Sequence, residues 1–517
     1  MMQRRWNIEI VSDAIHGWIV IAILLLSTAP LQAREPDTTA TASTGDTLYL
    51  DLEAALRIAG SESPDAIRAE LSERSAYLGY RLSYVGDYHP RIDLSVNVPT
   101  YRESIVERYV SLPDDQGGFT ESRQWVNTRT LQWSGDLTLL QPLPTGGQVR
   151  LRSYMYELDY SSDLQESDVK EVRHSWRLEF SQDLLRLNQA RLQRKRAKIA
   201  FRKAEWARRR SNRNLAFQVL NRYYTLIMET RELEITRDDL QVSRETAGPA
   251  RRKYEAGLIP EVQALQLELE VIQKETDLES QASRLESSLD EFRRLIGLSL
   301  EQPVQVVGEP TFRPIDVDLE ESISRALEQR EDIREAEIDL TLAKYDLKDA
   351  RRPYLPSAGL TAYYDLDRLD DSLDEALREG LGEYNESRGV VFTLSMPLLT
   401  FGRRSIAVQQ AKIGMRRNEI EADEIYKQVV LDVREAVRSL RESEQRYETT
   451  LRGLDIAEQS HQMTRQRFEN GQVTAREWIE AQLSLKRSRI NATRALIDHI
   501  LAIARYRVAV GEAAVAP

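Results

Sequence analysis

An internal repeat is the feature that most restricts how this chain can fold. The segment Lys253–Leu267 aligns without a gap on Arg467–Ala481, an offset of 214 residues. The same offset carries Gly257 onto Gly471. A fixed repeat of this kind indicates that one structural unit is present twice. The sequence therefore predicts a long helical hairpin that was built twice.

Heptad spacing and two glycines define the hairpin. Apolar residues of the return segment in the first repeat follow the spacing of helices packed side by side: Leu278, Ala282, Leu285, Leu289, Phe292 and Ile296. Gly257 and Gly471 suit the left-handed conformation that ends a helix, and Pro260 suits the first turn of the next one. We expect hairpins over 184–297 and 398–511. His499 lies in the matching seam of the second repeat, where we expect a packed, hydrogen-bonded histidine.

The repeat continues upstream of the hairpins, and there its two copies differ in length. Tyr49–Leu94 resembles Asp316–Leu360. From the shared proline at the end of this segment to the hairpin there are 93 residues in the first copy and 41 in the second, an excess of 52. The first repeat is predicted to span 48–310 and the second 311–517.

Residues that alternate between apolar and polar predict strands between the helices. Six such segments occur, at about 91–101, 130–141, 148–160, 172–182, 357–366 and 389–397. A polar inner face and an apolar outer face fit a transmembrane β-barrel, while an ordinary periplasmic sandwich would show the same alternation. The turn sequence PTGG predicts an additional hairpin at about 143–160. Whether this hairpin joins the barrel, so that each chain supplies six rather than four strands, stays open at this stage.

The N-terminus has the features of a secretory signal. Trp18–Leu26 is a short apolar run after a basic start, and a cleavage site is expected near Ala33. An uncleaved membrane anchor is the alternative, although the run is shorter than the roughly 20 residues of a spanning helix. Residues 1–33 are thus predicted as a signal peptide and 34–47 as a flexible leader.

Charge and composition exclude several classes of function. The formal net charge of -12 argues against nucleic acid as a partner. The absence of cysteine excludes disulfides and thiolate metal sites, and the five histidines are scattered. We find no nucleophile–base pair, metal-ligand spacing or phosphate loop. The sequence predicts that the chain is not an enzyme and that it has no cofactor and no metal site.

A basic run, Arg191–Arg213, has two interpretations. It contains a single acidic residue, Glu205. The simpler interpretation is a solvated helix face. The alternative is contact with anionic groups under a membrane or with acidic neighbours in the fold.

The order of these elements resembles the outer-membrane efflux protein family, the TolC-like channels. Each repeat has an NP-D-like helix start, a Tyr-x-Pro strand start, an S-x-P-L-L-like strand end and an R-F/Y-x-x-G-like tip. The resemblance covers about residues 48–512. Each motif is weak alone, but the four occur in the same order twice.

The resemblance implies a mixed α/β membrane protein. A long coiled-coil α-helical periplasmic barrel would be joined to a transmembrane β-barrel shared by a homotrimer. Such a chain would be the exit duct of a tripartite efflux pump or type I secretion system in the outer membrane, with most of its mass in the periplasm. Its partners would be outer membrane lipid, a periplasmic adaptor (membrane fusion protein) and an inner-membrane transporter, with no nucleic acid.

The resemblance also implies site residues. Glu477 and Glu480 hold the positions of two carboxylates that ring the closed periplasmic aperture in the family. Three copies would gather six carboxylates, which would favour cations and raise some carboxyl pKa values by mutual repulsion. The alternative for Glu477 is a capping box with Thr474.

The tips of the two hairpins are where the family meets its adaptor. Carried over to this chain, the contacting residues are Gly257, Leu258, Gly471 and Gln472. A periplasmic coiled-coil adaptor or scaffold without a barrel remains the main alternative function, because it would explain the heptads and the tip turns. It would not explain why strands fall at matching points of both repeats. The exported substrate is not specified by the sequence.

Overall fold

The computed structural model describes residues 47–113, 119–162, 169–185, 188–370 and 384–514. The predicted signal peptide and nearly all of the predicted leader lie in residues 1–46, outside the described residues. Predictions about those two segments therefore remain predictions.

Long helices and one large sheet dominate the described part of the chain. The helices are α1 Leu52–Glu62, α2 Pro64–Tyr88, α3 Gln189–Glu255, α4 Glu261–Ile296, α5 Leu319–Gln329, α6 Glu331–Arg351, α7 Arg403–Glu469 and α8 Ala475–Val510. The strands are β1 Leu48–Leu50, β2 Arg91–Pro113, β3 Phe119–Pro142, β4 Gln148–Ser162, β5 Val169–Asp183, β6 Val304–Val306, β7 Ser357–Asp370 and β8 Asn385–Ser395. A single 3-10 turn, Arg352–Tyr354, joins α6 to β7.

The two helical hairpins have equal lengths in the two repeats. The outgoing helices α3 and α7 have 67 residues each, and the return helices α4 and α8 have 36 each. At 1.5 Å per residue, an outgoing helix is about 100 Å long. α3 stays continuous through Pro249, close to its end. The gapless alignment of the two copies reflects these equal lengths.

Each outgoing helix packs against two shorter helices stacked along it. α3 contacts α2 near the sheet and α4 towards the tip, while α7 contacts α6 and then α8. Gly297 ends α4 at a φ of +87°, and a side chain there would lie 2.1 Å from the carbonyl oxygen of Glu62. Only glycine fits where the end of one stacked helix meets the start of the other. α2 and α4 are thus stacked end to end along α3.

The large sheet has six antiparallel strands in the order β2-β3-β4-β5-β7-β8. The additional hairpin predicted at about 143–160 belongs to this sheet. Residues 143–147 form the turn between β3 and β4, and the rest of the predicted segment is β4. The first repeat thus supplies four strands and the second supplies two. β2 and β3 extend well beyond the predicted 91–101 and 130–141.

Side chains of this sheet separate onto a polar and an apolar face. One row across all six strands is polar in register: Asp93, Thr138, Arg152, Arg177, Asp365 and Ser387. The adjacent row on the opposite face is apolar across five strands: Ile92, Leu139, Leu151, Leu178 and Tyr364. The alternation along neighbouring strands is therefore in register in these two rows.

A small parallel sheet was not predicted. Leu48 of β1 pairs with Val304 of β6, which ties the start of the described chain to the segment after α4. Strands of three residues are too short for alternation to reveal. Among the helices that the structure describes, none is both long enough and apolar enough to cross a membrane.

The basic run of α3 contacts acidic neighbours, so the solvated-face interpretation was wrong for much of it. Its cations pair with carboxylates of α2 and α6: Arg196 with Asp346 and Asp349, Lys203 with Asp339, Arg208 with Glu73, Arg210 with Glu335, and Arg213 with Glu331. Most of these pairs join the first repeat to the second. These ion pairs therefore connect the two repeats.

The histidine in the helical seam is packed as expected. His499 is fully buried, with Nδ1 3.1 Å from the Ser443 hydroxyl and Nε2 3.1 Å from the carbonyl oxygen of Arg313. Both ring nitrogens thus have polar partners inside the helical core.

Candidate functional site at the helical tips

The tip turns of the two hairpins have the same backbone geometry. Gly257 and Gly471 have φ values of +72° and +71°, in the left-handed region that favours glycine. Leu258 N–H donates to the Lys253 carbonyl at 2.8 Å, and Gln472 N–H donates to the Arg467 carbonyl at 2.8 Å. Both turns thus close the last carbonyls of an outgoing helix in the same way.

The surroundings of both turns are open. A Cβ placed on Gly257 or Gly471 would have no heavy atom within 4 Å. Leu258 is 73% exposed, and Gln472 is exposed as well. The four residues predicted to contact the adaptor therefore lie on the free ends of the hairpins. Their exposed side chains contribute little to the stability of the folded chain.

Glu477 forms the capping box that was the alternative to an aperture role. Thr474 N–H donates to Glu477 Oε2 at 2.7 Å, and Glu477 N–H donates to the Thr474 hydroxyl at 3.3 Å. These hydrogen bonds hold the pKa of the Glu477 carboxyl below its usual range. Glu477 is therefore ionised and fixed at the first turn of α8, and it remains exposed.

Glu480 lies one turn further along the same helix. Its carboxylate accepts from Arg476 Nε at 3.0 Å in an i,i+4 ion pair whose side chains are 79% and 62% exposed. An exposed pair of this kind contributes at most about 1 kcal/mol. The structure places Glu477 and Glu480 on one exposed helix start, where Arg476 offsets one of the two charges.

A buried tryptophan anchors the second tip to the first hairpin, a feature that the sequence did not reveal. Trp478 is 2% exposed and stacks on Phe468, with ring centroids 5.6 Å apart. It belongs to an apolar cluster with Ala247 and Ala250 of α3 and Leu267 of α4. The start of α8 is thus seated on both helices of the other repeat.

The ring of His461 also packs against this tryptophan. The two ring centroids lie 5.0 Å apart. Burial lowers the pKa of His461, and the charges of Arg489 and Arg465 lower it further, against a smaller opposing effect of Asp239. The neutral imidazole is therefore the form that the folded tip favours.

A buried lysine forms the second connection that sequence reasoning missed. Lys274 of α4 donates to Asp239 at 2.9 Å and to the Ser243 hydroxyl at 2.7 Å, both on α3. Glu270 lies 3.2 Å from the same ammonium, and Lys486 of α8 lies 3.7 Å from Asp239. All four charged side chains are at most 17% exposed. This group, the Lys274 cluster, joins three helices from both repeats.

The described residues contain no group of three or more His, Cys, Asp or Glu side chains arranged to hold a metal ion. At the start of α8, Thr474 and Glu477 are used in a capping box, and Arg476 and Glu480 form an ion pair. The tips therefore present exposed turns that a partner could contact, and the carboxylate of Glu477 is fixed at the start of α8.

Comparisons with known proteins agree on one fold. The CmeC outer membrane channel of Campylobacter jejuni matches with a TM-score of 0.67 and 14% identity, over 89% of this chain and 85% of that one. VceC of Vibrio cholerae matches with a TM-score of 0.63 and 17% identity, over 89% and 96%. The open state of MtrE from Neisseria gonorrhoeae matches with a TM-score of 0.60 and 14% identity, over 89% of each chain.

These structural likenesses establish the fold. A search of curated protein sequences found no significant match. The family model for the outer membrane efflux protein matches residues 322–512, which hold most of the second repeat. The second repeat therefore matches the outer membrane efflux protein family by sequence, and the described chain has the fold of the outer membrane channels compared above.

Proposed function

We propose that this chain is the outer-membrane exit duct of a tripartite efflux pump or type I secretion system. Three copies would close into one β-barrel and one helical tunnel, and substrate would pass through both. One observation carries the proposal. In a single chain, both edge strands of the sheet have an unpaired side, and the outermost helices of the helical layer expose apolar side chains.

The sheet has two free edges. In the part of the chain that the structure describes, β2 and β8 each pair on one side only. Long free edges with unpaired backbone groups favour association with another strand. Pairing β2 of one copy with β8 of the next would satisfy the backbone hydrogen bonds of both edges.

Helices next to the sheet form a row with two open ends. The contacts give the order α2, α3, α6, α7, so that α2 and α7 are terminal. Both carry exposed apolar residues at heptad-related spacing: Leu71, Leu78, Leu82 and Val85 on α2, and Ile406, Ile413 and Ile420 on α7. Such stripes are the seams of helices that pack side by side.

Towards the tips, a second row has the same property. There the order is α4, α3, α8, α7, with α4 and α7 terminal. Their exposed apolar residues again have heptad spacing: Val262, Leu265, Leu269 and Ile272 on α4, and Ile456 and Met463 on α7. The open faces at the two ends of each row differ from each other. Head-to-tail contact between unlike faces forms a ring when the rotation closes.

The properties of the sheet favour a membrane barrel rather than a periplasmic scaffold. Its polar face carries cross-strand ion pairs, such as Arg177 with Asp365 and Arg173 with Asp367, both at 2.6 Å. Hydrocarbon would not solvate these charges, so this face suits a water-filled lumen and the opposite face suits lipid. Every strand of the sheet has at least 11 residues, enough to cross a bilayer when tilted. A scaffold without a barrel needs neither property.

The barrel proposal is tested by ion conduction. Purified protein added to planar lipid bilayers is expected to give discrete conductance steps, because the lumen is lined by polar side chains. A preparation that folds and contains trimers but conducts no ions would refute the exit-duct function. Recovery of the chain only in the soluble periplasmic fraction would instead favour the scaffold.

The adaptor contact is proposed at the tip residues Gly257, Leu258, Gly471 and Gln472. Leu258→Glu places a charge on a side chain that is 73% exposed. We expect export by cells to fall to the level of a gene deletion while trimers still assemble. Leu300→Glu is the matched control, since Leu300 is 56% exposed in the turn after α4, far from the tip. Equal export by both variants would contradict the proposed contact.

The aperture is proposed at Glu477 and Glu480, and the capping box makes its test specific. Glutamine serves at the third position of a capping box as glutamate does, so Glu477→Gln keeps the helix start and removes the charge. We expect Glu477→Gln to shift the reversal potential of the channel in a salt gradient towards zero, while α8 keeps its capped start. A cation preference identical to that of the wild type would show that Glu477 only caps α8.

A further inference from the structure

We infer that the hairpin formed by β3 and β4 is part of the barrel wall, so that the closed trimer has eighteen strands. Two matched repeats of two strands each would give four strands per copy and twelve in a trimer, whereas the sheet here has six strands per copy. This inference rests on the trimeric channel proposed above and concerns the width of its pore.

The hairpin is paired along both of its sides. β3 pairs with β2 from Arg91 opposite Leu140 out to Pro113 opposite Phe119, with one irregularity between Asn97 and Thr100. β4 pairs with β5 from Gln148 to Tyr160. Moving the hairpin out of the wall would break both ladders and leave two more free edges. A flap lying on the sheet would not be paired in this way.

The faces of the hairpin match those of its neighbours. Leu139 and Leu151 stand beside Leu178 of β5 in one apolar row. On the other face, Arg152 pairs with Asp136 within the hairpin, and Arg150 lies 3.4 Å from Glu179 of β5. The inserted strands therefore continue both the lipid-facing row and the belt of lumenal ion pairs.

The turn of the hairpin is built into the junction between sheet and helices. Asn188 caps α3 by accepting from Arg191 N–H at 2.9 Å, and its amide donates to the Pro144 carbonyl at 2.9 Å. The side-chain amide of Gln141 donates to the carbonyl of Tyr88, the last residue of α2, at 3.0 Å. The turn thus lies between the end of α2 and the start of α3, where it separates β2 from β5.

Two glycines allow this close fit. Gly146 has a φ of +90°, and a Cβ there would lie 2.9 Å from the side chain of Asn188. A Cβ on Gly147 would lie 2.5 Å from the Ser181 carbonyl oxygen. The PTGG turn is therefore shaped to its place in the wall, since a larger residue at either position would push it out.

The consequence is a wider exit pore. Three copies of six strands make eighteen. With strands about 4.8 Å apart and tilted by about 40°, eighteen strands give a backbone diameter of about 35 Å, against about 24 Å for twelve. The barrel would be about 1.5 times as wide as one built from two matched repeats.

The test uses fluorescent probes on single cysteines, which the cysteine-free chain permits. A bimane label is attached at Leu139→Cys or Leu151→Cys in the hairpin, at Leu178→Cys in β5, and at Thr138→Cys on the polar face. Trimers are reconstituted into vesicles of phosphatidylcholine with and without brominated acyl chains. We expect the three leucine sites to lose fluorescence to the brominated lipid at least about threefold more than Thr138, because they face hydrocarbon.

The outcomes separate this inference from the proposed function. Quenching at Leu178 without quenching at Leu139 and Leu151 would overturn the eighteen-stranded wall and leave the channel intact. No quenching at Leu178 would overturn the membrane barrel itself. The number of strands in an electron cryomicroscopy map of the unlabelled trimer gives a second measurement: eighteen is expected, and twelve would overturn the inference.

Discussion

Lys274 allows a sharp test of what joins the two repeats near the tip. Its ammonium contacts Asp239, Ser243 and Glu270, and its side chain is 7% exposed. Lys274→Met removes this charge and keeps the length of the side chain. It leaves two buried carboxylates, Asp239 and Glu270, and the Lys486 ammonium lies 3.7 Å from Asp239. Removing one partner of a buried ion pair costs about 3–5 kcal/mol.

Hydrogen exchange measures this loss locally. Each 1.4 kcal/mol changes an equilibrium tenfold, so the amides of α3 and α4 around the Lys274 cluster should open about 10²- to 4 × 10³-fold more often. Amides near the sheet should exchange as in the wild type. A local readout is needed because heat unfolding of a membrane protein is commonly irreversible.

Arg244→Met is the matched control. Arg244 of α3 pairs with Glu275 of α4 at 2.6 Å, but the two side chains are 60% and 45% exposed. Removing a solvent-exposed pair costs at most about 1 kcal/mol, or about fivefold in exchange. If Lys274→Met and Arg244→Met raised exchange equally, burial would not be what makes the Lys274 cluster important.

A double replacement tests the cause of the effect. Lys274→Met with Asp239→Leu leaves one carboxylate and one ammonium in the cluster, Glu270 and Lys486. Replacing a buried pair by apolar residues is often neutral. We expect exchange to return to within about tenfold of the wild type. Exchange as fast as in Lys274→Met alone would show that the charge left unpaired is not the source of the loss.

Three further predictions concern the tip and the seam between repeats. Acidification should destabilise the tip. Burial and two arginines lower the pKa of His461 in the folded protein, so stability falls as the pH drops below about 6.5, the pKa of histidine in the unfolded chain. Exchange of amides around Trp478, corrected for intrinsic rates, should therefore rise between pH 7.5 and 5.5, and His461→Phe should abolish that rise. Glu331→Gln removes the partner that lies 2.5 Å from Arg213, in an ion pair whose side chains are 9% and 10% exposed. The free energy of local opening measured by exchange in α6 should fall by about 3–5 kcal/mol. The control Glu337→Gln, in the exposed pair with Arg334, should lower it by less than about 1 kcal/mol. Gly471→Pro removes the N–H that donates to Phe468 at 3.0 Å and forbids a φ of +71°, so export should be lost while trimers assemble; loss of the trimer would show that the tip is needed for folding.

Local rules explain which parts of the structure were predictable. A turn that needs positive φ selects glycine, so Gly257 and Gly471 could be located from the sequence. Heptad spacing and alternation each depend on one element at a time, and they located the two helical hairpins and the strands of the large sheet. The PTGG turn revealed the additional hairpin for the same reason, since a tight turn is encoded by adjacent residues.

Contacts between distant segments were not predictable in this way. Lys274 and Trp478 lie in long polar helices, where a single charged or aromatic residue is indistinguishable from one on a solvated face. Their burial depends on how α8 docks against α3 and α4. The cations of Arg191–Arg213 find their carboxylates mostly on α6, more than a hundred residues away. Glu477 was open to two interpretations because a capping box and an aperture carboxylate use the same residue.

The central claim is that three copies close through their open ends, with α2 of one copy against α7 of the next. Leu82 and Ile406 are exposed near the sheet on these two helices, and the chain has no cysteine of its own. A Leu82→Cys/Ile406→Cys variant in outer membranes is treated with a short bismaleimide and separated on a denaturing gel. The account predicts covalent dimers and trimers and nothing larger. Monomers alone, or a ladder that continues beyond three copies, would contradict it.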